Sequence, residues 1–188
     1  MSTSRTLGMK YVALLRGVNV GGNSLVKMAD LKAAVEAAGF TDVSTYINSG
    51  NVIFSSDEID KINLAKAITG IIDKTFDLDV KTVVFSADDI AAVVKQMPKG
   101  WGSDPKWKYN TLFLIPPYNS SDIIAEIGVL KPGIEILEKG EGVLYQAVEF
   151  KSFGRTRTGK LASMRCYQQM TIRNYNTTMK LHALLQAV

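Results

Sequence analysis

One cysteine and one histidine in 188 residues leave little room for several common protein chemistries. Cys166 has no second thiol with which to close an internal disulfide, and with His182 alone it makes none of the usual zinc-holding sets. A Cys166–His182 nucleophilic pair is formally available, but both residues fall in a stretch that reads as packed helix. No metal site and no cofactor are expected. Long apolar runs are missing too: none approaches the roughly 20 residues that cross a bilayer. Met1 to Gly8 lacks the apolar core of a secretory signal, so a cytoplasmic protein without membrane contact is expected. An apolar fraction of 46% is that of an ordered globular chain, long enough for one domain or two small ones.

Charge of one sign is also missing from part of the chain. From Lys151 to the end there are seven basic residues (Lys151, Arg155, Arg157, Lys160, Arg165, Arg173, Lys180) and no Asp or Glu, against a net +4 for the whole. Such a segment attracts phosphate-bearing partners or faces the acidic remainder of its own chain.

What is present reads as α+β. "KYVALLRG" (Lys10–Gly17) is an apolar run too short for a helix and ending in glycine, which predicts a strand covered on both faces. "MADLKAAVEAAGF" places Met28, Leu31, Val35 and Ala38 at helical spacing and stops at Gly39. "DVSTYI" and "NVIFSS" flank Asn48-Ser49-Gly50-Asn51, a hairpin composition, and a helix from about Asp57 to Phe76 leads into the strand "VKTVVF". The resulting βαββαβ order over residues 9–85 is ferredoxin-like, with an antiparallel sheet and its first and third strands adjacent. That topology puts the end of strand one and the turn before strand three at one end of the sheet, with Arg16 and Asn51 as neighbours.

Residues 86–188 are less regular. Ser86 and Asp89 have capping-box spacing ahead of a helix that ends at Pro98. The loop "PKGWGSDPKWKYN", with Trp101 and Trp107, offers a boundary or a protein-partner surface. A strand "TLFLI", a short helix near Ser121–Ile127, a hairpin of "IEILE" and "VLYQAVE", and a final helix from about Thr171 to Ala187 predict a second, smaller and degraded α+β unit packed against the first, ending in a basic C-terminal helix.

Two glycine-rich stretches invite a phosphate-loop reading. "GVNVGG" (Gly17–Gly22) has neither the Gly-Lys-Ser/Thr ending nor the Gly-x-Gly-x-x-Gly spacing, though its amides suit an anion. "GRTRTGKL" (Gly154–Leu161) has Gly-x4-Gly-Lys spacing but puts Leu161 where magnesium needs a hydroxyl. RNA-recognition modules share the strand order, yet Tyr11 and Phe54 are more simply core residues than stacking platforms. In "TIRNYNTTMK", Asn174, Asn176, Thr177 and Thr178 are mediocre helix formers, and Arg173 in a first helical turn opposes the dipole, so an anion or a carboxylate beside it is expected.

"KYVALLRGVNVGGN", "VKMADL", "GFTDVSTYINSGNVIF" and "MTIRNYNTTMKL" together closely resemble a mostly bacterial family, domain of unknown function 1697, over nearly the whole chain from about Met9. The resemblance implies that residues 1–8 are an added, flexible extension and that the fold is α+β with a ferredoxin-like first unit, and it brings no activity with it. The family typically has isoleucine at Val18 and often tryptophan at Tyr175.

Three readings remain open. The first is a binding site for an anionic small molecule or nucleic acid, built from Arg16, Asn19, Gly21, Gly22, Asn23, Ser49, Gly50 and Asn51 with Arg173, Asn174 and Asn176. In the second, the same residues form an interdomain polar network that locks the two halves, and the protein works through a partner surface such as the tryptophan loop. The third is an enzyme, for which no general base stands out: Asp30 and Asp42 read as helix-start and loop carboxylates.

Overall fold

A computed structural model describes residues 8–20 and 25–187. Apart from Gly8, the expected N-terminal extension lies outside the described residues. The chain divides into two compact units, Met1–Asp89 with Leu184–Val188, and Ile90–Ala183. The α+β class expected from the sequence is the one observed: among the described residues, two four-stranded antiparallel sheets with helices.

In the first unit β1 (Met9–Leu15), α1 (Met28–Ala37), β2 (Thr41–Thr45), β3 (Asn51–Ser56), α2 (Lys61–Phe76) and β4 (Thr82–Ser86) follow one another, and the sheet runs β2-β3-β1-β4. Alternation decides which face packs where. Tyr11, Ala13 and Leu15 cluster with Leu31 and Val35 of α1 and with Leu64, Ile68 and Ile72 of α2. Burying each such leucine, isoleucine or valine contributes about 1.5–3 kcal/mol. Val12 and Leu14, on the opposite face of β1, are also fully buried, as the two-sided apolar pattern requires. Tyr11 and Phe54 stack with ring centroids 5.8 Å apart inside this core. Asp60 starts α2 by accepting from the Ile62 and Asn63 amides. Ser86 and Asp89 exchange bonds of 2.8 and 3.1 Å at the start of α3 (Ala87–Lys95), the reciprocal pair that their spacing predicts.

The second unit repeats the strand order. β5 (Trp107–Leu114), α4 (Ser120–Ile127), β6 (Glu135–Gly140), β7 (Val143–Glu149) and β8 (Met170–Asn174), followed by α5 (Tyr175–Gln186), whose residues from Leu184 on group with the first unit, give a sheet ordered β6-β7-β5-β8, with β5 and β7 in the middle as β1 and β3 are in the first. The unit has a four-stranded sheet, but among the described residues no α-helix lies between β7 and β8, where the first unit has α2 between β3 and β4. In its place stand three 3-10 turns, Phe150–Arg155, Thr158–Ser163 and Arg165–Gln169. Cys166 thus sits in a 3-10 turn and not in the packed helix expected around it. The last helix also begins later than its composition suggests, because Met170–Asn174 pairs with β5 as a strand.

Candidate functional site

The end of β1 gathers most of the residues singled out in the first unit. Leu14 lies opposite Asn51, and the Leu15 amide donates to Gly50 O at 2.8 Å, so Arg16 and the turn before β3 share one sheet end. β4 begins at that same end: the Arg16 amide donates to Lys81 O at 2.9 Å. Lys81 is exposed and Arg16 half-buried. This pairing of cations was missed in the sequence, although an antiparallel fourth strand beside the first places its start next to Arg16. Lys10–Lys27 and Val43–Ser56 contain no acidic residue, and Asp79 is the acid nearest to Lys81 in sequence.

Four residues around this end have left-handed backbone: Gly17 (φ 72°), Asn19 (φ 56°), Ile47 (φ 49°) and Gly50 (φ 74°). Glycine is obligatory at position 50, since a Cβ there would stand 2.7 Å from Leu15 Cβ. Ile47 is the outlier, because a β-branched side chain is strained in this region. Asn19 holds the loop by three bonds. Its Nδ2 donates to Val26 O at 2.8 Å and Asn48 O at 2.9 Å, and its Oδ1 accepts from the Val26 amide at 2.8 Å. Asn51, fully buried, donates through Nδ2 to Tyr46 O at 2.9 Å and Ser49 Oγ at 3.2 Å. Asn19, Gly50 and Asn51 thus shape the loops beside Arg16. Gly21, Gly22 and Asn23, also named from sequence, lie outside the described residues.

Arg173, Asn174 and Asn176 belong to the second unit. Arg173 is on β8, opposite Thr111, and not in a helical turn, so the dipole penalty expected for it does not arise. It is 6% exposed, and burial lowers its guanidinium to about 10, still charged at neutral pH. Its partners include Thr171 Oγ1 at 2.8 Å and Ile172 O at 2.9 Å. Asn174 caps α5, its Oδ1 accepting from the Thr177 amide at 2.8 Å, which explains a poor helix former at that position. Asn176 is exposed in the first turn. Of the two tryptophans, Trp101 is half-buried and packs edge-on against Tyr109, with centroids 5.0 Å apart, while Trp107 opens β5 opposite Glu149.

"GRTRTGKL" does hold an anion, and the anion is the chain's own. Glu135, 4% exposed, accepts from the Thr158 amide (2.9 Å), the Thr158 hydroxyl (2.8 Å), the Arg157 amide (3.1 Å) and the Lys131 amide (2.8 Å). Burial pushes its carboxyl up, but the bonds from Thr158, Lys131 and Arg157 outweigh this and hold it below the usual range. Gly159, the glycine of the apparent Gly-Lys pair, serves close packing: a Cβ would meet Phe153 O at 2.1 Å. Nothing in local spacing announced the role of Glu135: Lys131 is four residues before it, but Arg157 and Thr158 lie 22 and 23 residues away along the chain.

A cleft of about 390 Å³ in the second unit is lined by Tyr118, Asp122, Ile123, Glu126, Arg165, Cys166 and Gln169. Burial, and then the Glu126 charge, push the Cys166 thiol up to about 11. At neutral pH it is a protonated thiol and a poor nucleophile. Among the described residues no group of three His, Cys, Asp or Glu side chains is placed to hold a metal ion, and no helix is long and apolar enough to cross a membrane.

A protein family described as "Protein of unknown function (DUF1697)" matches residues 9–145. The structure of the conserved bacterial protein SP0830 from Streptococcus pneumoniae is similar over 95% of this chain and 99% of that one, with 28% identity and a TM-score of 0.84. No curated protein matches the chain.

Proposed function

The chain belongs to the DUF1697 family, whose function is unknown, and we propose that it binds an anionic, phosphate-bearing ligand at the end of the first sheet. The observation that carries this reading is the pairing of Arg16 with Lys81 across β1 and β4. In sequence Lys10–Lys27 and Val43–Ser56 carry no carboxylate, and Gly17, Asn19, Ile47 and Gly50 stand in left-handed backbone. A guanidinium forks onto two phosphate oxygens, and an adjacent ammonium adds charge without fixing geometry. Asn19, Gly50 and Asn51 are given a framing role here, which keeps the loop in shape before a ligand arrives.

The test is a thermal-shift screen of the full chain with pyrophosphate, nucleotides and sugar phosphates. A ligand at 100 times its Kd stabilises by about 2.7 kcal/mol, which such a screen resolves. Arg16→Ala and Lys81→Ala should each weaken the responding class by about tenfold, the worth of one charge-assisted bond. Equal shifts in wild type and both variants would sink the reading.

A second reading, a structural network serving a partner surface, is favoured by the three bonds of Asn19. Asn19→Ala should cost about 2–3 kcal/mol in urea unfolding, at about 1 kcal/mol per bond. Asn19→Gly keeps the left-handed backbone and loses the bonds. A near-neutral glycine variant would show that conformation alone selects asparagine here.

A further inference from the structure

We propose that a surface of the second unit, separate from Arg16 and Lys81, binds single-stranded nucleic acid, with bases stacked on Phe150 and Phe153 and phosphates taken by the surrounding lysines and arginine. Phe150 and Phe153 are 58% and 40% exposed, in a chain whose other phenylalanines are mostly core. They stand three residues apart in the 3-10 turn Phe150–Arg155. In a 3-10 turn, residues i and i+3 project from the same side, about 6 Å apart along the axis. Two rings at that separation form a comb on which unstacked bases lie, a sequence-tolerant platform because every base has a π-face.

The cations around the comb are placed by the sheet. Trp107 pairs with Glu149, and the Phe150 amide donates to Lys106 O at 2.9 Å, so Lys106 and Lys108 flank the turn that carries Lys151 and Arg155. All four are exposed, and Lys108 Nζ lies 5.3 Å from the Phe153 ring centroid. An ammonium resting on an exposed ring is easily displaced, and on displacement by a base it reaches the neighbouring phosphate. Asp104 and Glu149, the acids beside Lys106 and Phe150 in the chain, both have local partners. Asp104 accepts from the Lys106 amide, and Glu149 accepts from the Ser152 hydroxyl, which in turn accepts from Arg155. Beyond them the chain from Lys151 onward has no acid at all.

Charge complementarity selects a polyanion, and the rings select one whose bases are free. A duplex presents phosphates but no faces to stack on. Two phenyl rings interleaved with Lys151 and Ser152 also make too small and broken an apolar area for a membrane anchor.

The test is fluorescence anisotropy of labelled oligo(U) and oligo(dT) of about 12 nucleotides with the full chain, at about 50 and 200 mM salt, beside a duplex and phosphatidylserine vesicles. Single strands should bind with a log–log salt slope near −3, four cations at about 0.7 each. The Phe150→Ala/Phe153→Ala variant should bind about tenfold or more weakly with an unchanged Tm, since both rings are exposed. Lys108→Ala/Lys151→Ala should about halve the slope. Arg16→Ala/Lys81→Ala should leave oligonucleotide binding intact, which separates this surface from the first-unit site. A preference for oligo(U) identifies RNA as the partner, and one for oligo(dT) identifies DNA. The proposal is overturned by no single-strand binding at the lower salt, by equal affinity of wild type and the phenylalanine variant, by tighter binding of the duplex, or by vesicles being bound where oligonucleotides are not.

Discussion

Glu135 shows how much a single side chain organises in this protein. Its carboxylate gathers the amides of Lys131, Arg157 and Thr158 and the Thr158 hydroxyl, so one buried charge anchors a turn with no regular pairing of its own. The folded state holds this carboxyl below its ordinary range, despite burial. A group whose pKa is depressed on folding contributes stability that is complete above the unfolded value, about 4.3 for glutamate, and is lost as pH falls through the folded value. The wild type should therefore lose stability on acidification below about pH 4.3, and Glu135→Gln, less stable at neutral pH, should show a shallower loss over the same window. Urea unfolding at a series of pH values tests this. Parallel curves for the two proteins would mean that Glu135 carries no linked proton. The sequence hid this residue because Arg157 and Thr158 are distant from it in the chain, whereas it displayed the loop that wraps it.

At the scale of elements, what was legible had local causes. β1, α1 and the β2–β3 hairpin follow from runs, spacing and turn residues within a few positions, and Ser86 with Asp89 form the reciprocal cap that their spacing implies. The errors lie where distant pairing overrides local pattern. Met170–Asn174 joins β5 through register with residues 110–114, and no helical stripe in "TIRNYNTTMK" competes with a full edge of backbone bonds. Likewise β5 starts at Trp107 and not near Thr111, because β7 extends far enough to pair with it. Once the strand is recognised, Asn174 becomes the cap of α5 and Asn176 an exposed helical residue. Asn174→Ala should then cost about 1 kcal/mol, and Asn176→Ala should be neutral or slightly stabilising, because alanine is the better helix former. Chemical denaturation of the two variants separates them, and equal costs would remove the cap from the account. The candidate site divides in the same way: Arg16, Gly50 and Asn51 were readable from topology, while Lys81 required the register of β4.

At the scale of the whole molecule, the sequence order of the residues and their grouping in space diverge at the C-terminus. Leu184–Val188 belongs with residues 1–89, and within that unit Lys10 Nζ donates to Ala187 O. The first unit is thus discontinuous in sequence, and its stability depends on a segment that a cut at residue 89 removes. Leu185, 3% exposed, is buried in that segment. Leu185→Ala should cost about 2–5 kcal/mol. Because proteins open in cooperative pieces, the loss should be local. Hydrogen exchange should show faster opening of the Val12, Leu14, Ile53 and Phe54 amides in β1 and β3, with Leu112 and Leu144 in β5 and β7 keeping their protection. Loss of protection confined to β5 and β7 would assign the last turn of α5 to the second unit. Loss shared equally by both sheets would instead show that the two units open together, and that the discontinuous first unit has no separate stability to lose.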